Sequence, residues 1–133
     1  MSPQLLSCDY LVIGAGAMGL AFTDQLLSSS TSISVILVDK RAAAGGHWVD
    51  SYEFVTLHQP AAFYGVNSMV MNGGEGGLAS KPEILAYYGK VVEKWKKIGR
   101  LQFLPQVEWK GEGRLISCLD SALEYQVKVK EVT

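Results

Sequence analysis

The sequence predicts an α/β fold built on a β-α-β unit near the N-terminus, and three observations support this. The run from Tyr10 to Ile13 is short, apolar and rich in β-formers, which is typical of a buried parallel strand. It leads directly into glycines spaced G-x-G-x-x-G. Apolar residues then recur at helical spacing over 20–27, and a β-branched run covers 33–38. The pattern therefore predicts a strand, a tight turn, a helix and a second strand parallel to the first.

Each glycine of the turn has a separate physical role in holding a nucleotide. Gly14 makes the tight turn out of the strand, Gly16 lets the backbone approach a pyrophosphate, and Gly19 lets the helix pack against the sheet. The helix that begins here directs unpaired N–H groups and the positive end of its dipole toward an anion. Ala17 and Met18 lie between the second and third glycines and are predicted to adjoin the phosphates.

An acidic residue at the end of the second strand completes the pattern. Asp39 lies 25 positions after Gly14, where a carboxylate can accept hydrogen bonds from the ribose hydroxyls of adenosine. Lys40 and Arg41 follow, and they could stack on adenine or pair with phosphate; an ordinary exposed basic turn is the alternative. The order of these features predicts a dinucleotide-type site, against the alternative of an incidental β-α-β unit.

Length and composition are those of one globular domain covering residues 1–133. Hydrophobic residues make up 48% of the chain and charged residues 19%, which suits a buried core. The net charge of −1 does not favour nucleic-acid binding. A local cluster at helical spacing, more typical of a solvated helix face than of a binding patch, comprises Lys90, Lys94, Lys96 and Lys97.

Cysteine usage and the N-terminal sequence predict a cytoplasmic protein. Cys8 and Cys118 have neither metal-type nor C-x-x-C spacing, so we interpret them as buried thiols in a reducing compartment. The sequence shows no signal peptide, no run of apolar residues long enough to span a membrane, and no cluster of metal-ligating side chains. We therefore expect no membrane association and no metal site.

The second half of the chain predicts one long helix followed by short strands. Ser80 can cap the helix, apolar residues recur at helical spacing from Ile84 to Ile98, and Gly99 ends it. The aromatic side chains of this stripe are expected in the core. Short strands are predicted at 101–103, 106–109, 114–118 and 125–129, with a hairpin turn at 111–113.

Three segments together resemble a known family. Gly-Ala-Gly-Ala-Met-Gly, Val-Asp-Lys-Arg and Gly-Gly-His-Trp look like the N-terminal FAD-binding segment of class B flavin monooxygenases and related FAD/NAD(P)-binding oxidoreductases, in which the third segment usually reads G-G-x-W. The resemblance implies that the glycine turn lies on the FAD pyrophosphate and that Asp39 lies on the adenosine ribose. It places Gly46, His47 and Trp48 along the ribityl chain and the flavin. Most members have Glu at the position of Asp39, and the side chain of Asp39 is shorter than that of Glu.

The resemblance also implies roles for later residues. The segment after G-G-x-W crosses the flavin in this family, so His58, Gln59, Tyr64 and Asn67 are expected near the isoalloxazine ring, with His58 and Tyr64 as candidate catalytic groups. The alternative is a long loop packed by its own aromatic side chains, with His58 as a structural histidine.

For the second half of the chain, the resemblance implies that the strand after the long helix joins the parallel sheet and that a small antiparallel meander follows. It further implies that a main-chain group at Val107, with Gln106 and Glu108 as neighbours, contacts adenine. The predicted architecture is therefore a Rossmann-like FAD-binding β-α-β unit with a small antiparallel β appendage.

The family resemblance implies a function, and the short sequence leaves alternatives open. Complete members contain a further strand and an NAD(P)H-binding domain with a second glycine fingerprint, which this sequence does not show. We therefore predict a truncated FAD-binding module of a flavin monooxygenase-like oxidoreductase with a small-molecule substrate. The alternatives are half of a split enzyme, a short relative with non-redox cyclase or isomerase chemistry, and a nucleotide-sensing or interaction module.

The absence of that further strand from the sequence also predicts an association surface. The parallel sheet is expected to have an open edge beside its first strand, and the apolar face of the long helix is expected to be partly uncovered. We therefore expect the chain to form a homodimer or to pair with a complementing chain.

Overall fold

The predicted α/β architecture is confirmed by the computed structural model, which describes residues 3–46, 65–66, 69–70 and 81–130. In chain order its elements are β1 (Gln4–Cys8), β2 (Tyr10–Ile13), α1 (Ala17–Ser29), β3 (Val35–Val38), β4 (Gly65–Val66), β5 (Met69–Val70), α2 (Lys81–Lys97), β6 (Leu101–Leu104), β7 (Val107–Gly111), β8 (Arg114–Ser117) and β9 (Glu124–Val129). A parallel sheet has β3 at its centre, with β2 on one side and β6 on the other.

The side chains of β3 alternate between two hydrophobic cores. Val35 and Leu37 pack with the apolar sides of α1 and α2. Ile36 and Val38 point to the opposite face, where they pack with side chains of β8 and β9 that include Leu115. Because successive strand residues face opposite ways, the β-branched run of β3 is buried along its whole length. The parallel sheet therefore lies between a helical layer and a second sheet.

The first strand of the parallel sheet is less buried than the sequence predicts. Among the described strands, β2 pairs only with β3 and forms an edge of the sheet. The side chain of Ile13, at the end of β2, is 50% exposed. The expectation of a strand buried on both faces is therefore wrong for β2, whereas the expected open edge is present in the described part of the chain.

The expectation that the apolar face of α2 is partly uncovered is wrong. Tyr88 and Trp95 of this face lie in the core that α2 shares with α1. The indole Nε1–H of Trp95 donates to the buried carboxylate of Asp24, with a distance of 3.0 Å between the nitrogen and Oδ1. Ile98 is 58% exposed because it lies beyond the end of the helix, which Gly99 terminates at a φ of +80° as predicted.

Arg100 connects the helical layer to the parallel sheet. Its guanidinium donates to the carbonyl oxygens of Leu27 at 2.7 Å and Ile33 at 3.1 Å, and also to that of Ser30. Carbonyls in the last turn of a helix have no intrahelical donor, so a planar fork of N–H groups satisfies the end of α1. The residue that precedes β6 thereby fixes the connection between α1 and β3.

The predicted antiparallel meander is formed by β7, β8 and β9. Its first hairpin turns at Gly111, Glu112 and Gly113, all of which have positive φ. The sequence analysis missed β1, which pairs in parallel with β9 and completes the second sheet. The chain therefore crosses from one sheet to the other between Cys8 and Tyr10.

The cysteines and the lysine cluster test the expected solvent exposure. Cys8 is buried, and its burial raises the pKa of the thiol. Cys118 is exposed, contrary to expectation, because it follows the end of β8 in the connection to β9. The predicted solvated face of α2 is confirmed by exposed or half-buried side chains at Lys90, Lys94, Lys96 and Lys97.

Several predictions concern residues outside the described ranges. Those residues are His47, Trp48, His58, Gln59, Tyr64, Asn67 and the helix cap Ser80. Within the predicted irregular segment, β4 and β5 pair as a short antiparallel ribbon, which the sequence analysis did not predict. The described helices contain no stretch that is both long and apolar enough to cross a bilayer.

We expect the stabilising effect of Asp9 to depend on pH. The backbone N–H of Ser34 donates to Asp9 Oδ2 at 2.7 Å and, aided by the Ser34 hydroxyl and by Lys130, holds the pKa of Asp9 below its ordinary value of 3.8. A lowered carboxylate pKa contributes stability above the ordinary pKa, and this contribution is lost as the pH falls through the lowered value.

Urea unfolding of the wild type and of Asp9→Asn, at about pH 6 and about pH 3, should show a difference in stability that shrinks on acidification. Ser34→Ala retains the backbone donor and loses the hydroxyl, so its effect should be smaller than that of Asp9→Asn. A difference between wild type and Asp9→Asn that is the same at both pH values would contradict this assignment.

Candidate nucleotide-binding site

The glycine turn is held to the parallel sheet by backbone contacts. Gly14 has a φ of +104°, a conformation that favours glycine, and it turns the chain out of β2. Its N–H donates to the carbonyl oxygen of Val38 at 2.8 Å. The turn is thereby fixed to the carboxyl end of β3, which is the end of a parallel sheet where ligands bind in open α/β folds.

A second pair of glycines packs directly against this turn. The N–H of Gly45 donates to the carbonyl oxygen of Ala15 at 2.8 Å. A Cβ on Gly16 would lie 3.4 Å from the Cα of Gly46, and a Cβ on Gly46 would lie 2.8 Å from the Cα of Gly16. The backbone of Gly46 therefore lies directly against the glycine turn.

Gly19 allows the start of α1 to contact the turn. A Cβ at this position would overlap the carbonyl oxygen of Gly14 and would lie 3.7 Å from Cγ1 of Val12. No larger residue fits without moving the helix away from the strand end. The predicted packing role of the third glycine is thus present as a contact between backbones.

The N-terminus of α1 presents backbone N–H donors beside the turn. Gly16 is the N-cap, without a side-chain cap, and the N–H of Leu20 donates to the Gly16 carbonyl oxygen at 3.0 Å. The N–H groups of the first turn, at Ala17, Met18 and Gly19, have no intrahelical acceptor because of helix geometry. Met18 is 84% exposed, so its side chain leaves this end of the helix open.

The carboxylate of Asp39 organises the backbone around the turn. Oδ2 accepts from the N–H of Ala15 at 2.7 Å, and Oδ1 accepts from the N–H of Arg41 at 2.8 Å. The guanidinium Nη1 of Arg41 lies 4.0 Å from Oδ1. Although Asp39 is buried, each carboxylate oxygen has a further lone pair, so the group can still accept from a ribose hydroxyl.

β7 forms the third wall of the site, after the glycine turn and the segment that begins at Asp39. The N–H of Val107 donates to the Asp39 carbonyl oxygen at 2.9 Å, and the N–H of Gln106 donates to the Arg41 carbonyl oxygen at 2.9 Å. These bonds join the segment after β3 to the first strand of the meander. Three parts of the chain, distant in sequence, are thereby brought to one place.

A cavity of about 250 Å³ lies where these three parts meet. From the predicted site it brings together Gly14, Asp39, Lys40, Arg41 and Val107. Gly16, Ala17, Met18 and Gly19 form the adjoining helix start, while Gly46 packs against Gly16 and does not line the cavity. The lining is completed by Ile13, Val38, Glu108 and Trp109.

Sequence reasoning missed Ile13, Val38 and Trp109 as lining residues. One available signal was the alternation along β7, because Val107 and Trp109 are two positions apart and share a face of the strand. The burial of the two differs: Val107 is in the core and Trp109 is exposed. The strand alternation therefore indicated that the two residues share a face, whereas the exposure of Trp109 at the cavity is a feature of the folded structure.

The chemical groups fit the adenosine diphosphate half of a dinucleotide. A pyrophosphate requires N–H donors and close backbone access, which the first turn of α1 and Gly16 provide. A ribose requires a hydrogen-bond acceptor, which Asp39 provides, and a base requires a flat and largely apolar wall, which β7 provides.

Comparison with known proteins agrees with this geometry. The profile of the NAD(P)-binding Rossmann-like domain family matches residues 12–73. An uncharacterized protein of Mycobacterium tuberculosis is 42% identical over 95% of this chain and 25% of its own length. An uncharacterized oxidoreductase, CzcO, of Bacillus subtilis is 33% identical over 66% of this chain and 25% of its own length. This chain therefore spans about a quarter of the length of these relatives.

A solved structure of a flavin-containing monooxygenase has a similar fold. The flavin-containing monooxygenase from Stenotrophomonas maltophilia superposes with a TM-score of 0.65 at 25% identity, over 92% of this chain and 36% of that protein. These similarities confirm the Rossmann-like fold and the resemblance to the FAD-binding segment of flavin monooxygenases and related oxidoreductases.

We expect Gly19→Ala to destabilise the protein by about 1–3 kcal/mol, because the added methyl group overlaps the Gly14 carbonyl oxygen. Gly89→Ala is the matched control within α2, where an added Cβ has nothing within 4 Å. It should stabilise by about 0.5–1 kcal/mol through helix propensity alone. Urea unfolding measures both; equal effects of the two substitutions would contradict the close contact at Gly19.

Proposed function

We propose that this chain, with its Rossmann-like fold and its resemblance to flavin monooxygenases, is an FAD-binding module of an oxidoreductase of the monooxygenase type. The observation that carries the proposal is the position of Asp39. Its side chain bonds to the glycine turn and its main chain bonds to β7, so phosphate, ribose and base contacts surround one residue. We further propose that residues 1–133 act as a single domain.

The proposed binding mode follows the order of groups along a dinucleotide. The pyrophosphate lies at the first turn of α1, which supplies N–H donors and the positive helix dipole. The adenosine ribose lies at Asp39, and Lys40 and Arg41 add positive charge beside the phosphates. The base lies against β7. All these contacts serve the adenosine diphosphate half of FAD and would hold it without taking part in chemistry.

The flavin half is assigned to residues outside the described ranges. We propose that His47, Trp48, Gln59 and Asn67 contact it, with His58 and Tyr64 as the candidate catalytic groups. The isoalloxazine ring, when bound, would supply the redox chemistry. The described residues contribute binding and orientation, and the substrate is proposed to be a small molecule.

A non-redox enzyme on the same scaffold is the alternative function. A cyclase or isomerase would retain the glycine turn and use the polar side chains of Asp39, His58 or Tyr64 on a substrate. Half of a split enzyme, the other alternative, would need a complementing chain that carries the missing strand. Flavin binding distinguishes the FAD-binding module from the cyclase or isomerase, because the cyclase or isomerase requires no flavin.

A cytoplasmic location is proposed from the free thiols of Cys8 and Cys118, which suit a reducing compartment.

The FAD proposal predicts the effects of two substitutions, measured by calorimetric titration with FAD. Gly16→Val fills the approach of the phosphate and presses on Gly46, so binding should be abolished. Asp39→Ala removes the ribose acceptor and should weaken binding by about 1–3 kcal/mol. Glu93→Gln, on the exposed side of α2, is the control and should bind as the wild type does.

Circular dichroism of each variant separates loss of the site from loss of the fold. Unchanged FAD affinity in folded Gly16→Val and Asp39→Ala would contradict the proposed site. Titration of NADP⁺ in parallel tests the choice of dinucleotide, and tighter binding of NADP⁺ than of FAD would contradict an FAD module.

We also propose that the isolated chain self-associates through the edge of β2. The backbone of this edge has no partner strand among the described residues, and Phe22 packs edge-on against Tyr10 beside it, with ring centroids 6.4 Å apart. Phe22 is more than half exposed, so an apolar side chain of α1 lies in solvent beside the unpaired edge.

Light scattering at high concentration should therefore detect a dimer or a larger species. Phe22→Lys places a charge on the apolar surface and should shift the protein toward monomer, whereas Leu119→Lys, at an exposed residue of the β8–β9 connection, should not. A monodisperse wild-type monomer would contradict the proposal.

A further inference from the structure

We propose that the indole of Trp109 is the wall on which the base of the nucleotide stacks, so that Trp109 makes the site selective for ligands that carry a planar base. The inference rests on the proposed function, because it concerns the base end of the same cavity. It assigns a positioning role to Trp109, which lies outside both the glycine turn and the contacts of Asp39.

The geometry orders the cavity from a phosphate end to a base end. Gly14 lines one side, next to the donors of α1, and Asp39 lies beside it through the bond between its side chain and the Ala15 N–H. Beyond Asp39, the N–H of Val107 bonds to the Asp39 carbonyl oxygen and places β7 on the far side. A nucleotide with its phosphates at α1 and its ribose at Asp39 therefore directs its base at β7.

Trp109 is the aromatic side chain on that far side. Trp109 lies two residues after Val107 on the same face of β7. The side chain of Val107 is part of the core, whereas Trp109 lies beyond the core and lines the cavity. Trp109 is 46% exposed, in contrast to Trp95 of α2, which is 6% exposed. A large indole left half in solvent at the mouth of a cavity retains a free face for a ligand.

The composition of the walls separates the roles of the lining residues. The charged groups Asp39, Lys40 and Arg41 lie on the β3 side and suit ribose and phosphate. β7 supplies Val107, the charged residue Glu108 and Trp109, and the indole is the flat and polarisable part of this wall. Stacking on an aromatic ring does not depend on which base is present, so Trp109 would favour any purine nucleotide over a bare phosphate.

A second groove supports the position of the indole. Trp109 and Ile13 line both the nucleotide cavity and an adjoining groove along the open edge of β2. The indole therefore stands where the two meet, and removing it would open the base end of the cavity into the groove. Truncation of Trp109 should accordingly affect the binding of the base and leave the phosphate end intact.

The test compares ligands with and without a base. Calorimetric titrations of the full chain with ADP and with inorganic pyrophosphate are made for the wild type, Trp109→Ala and Trp109→Phe. Trp109→Ala should weaken ADP binding by about tenfold or more, because base stacking on an aromatic side chain is lost. Pyrophosphate binding should change by less than about twofold, since it uses only the α1 end. Trp109→Phe should recover most of the affinity for ADP.

The controls separate this inference from the proposed function. Leu119→Ala removes an exposed apolar side chain away from the cavity and should bind ADP as the wild type does. ADP should also quench the indole fluorescence of the wild type more than that of Trp109→Phe. Equal ADP affinity in Trp109→Ala and wild type, with binding lost in Gly16→Val, would overturn the role of Trp109 and leave the nucleotide site standing. A wild type that binds neither FAD nor ADP would overturn both.

Discussion

The hydrogen bond from the Ala15 N–H to the Asp39 carboxylate is the contact on which the site depends. It ties the glycine turn after β2 to the end of β3, and the same carboxylate also holds the N–H of Arg41. The main chain of Asp39 bonds in turn to Leu104 and Val107, which link it to β6 and β7. A single residue thus aligns the three segments that form the cavity and ties them to β6, and its burial among backbone donors explains how a carboxylate is kept at the centre of the fold.

The β-α-β unit could be predicted from the sequence because the signals that specify it are local. A glycine turn, an apolar helix face and a β-branched strand each act within a few residues, and the structure follows them from Tyr10 to Asp39. The strand β1 was missed because its side chains are mostly exposed and its partner β9 lies more than a hundred residues away, at Tyr125 and beyond. Pairing across such a distance leaves no periodic pattern in the strand itself.

Exposure was harder to predict than secondary structure. Cys118 was expected to be a buried thiol, yet it is exposed in a connection just past β8. This error arises at the end of an element, where a shift of a single residue decides whether a side chain faces the core or water. The site residues differed in the same way. Asp39 was predicted from its place after β3, whereas the position of Trp109 at the cavity depends on how the meander packs against the parallel sheet.

The cavity around Asp39 is proposed to hold the adenosine end of FAD. The most direct test is a visible absorption spectrum of the purified chain, recorded before and after incubation with excess FAD and desalting. Flavin absorption bands should remain with the protein after desalting. A colourless protein that releases all added FAD would contradict this assignment and would favour a non-redox ligand in the same cavity.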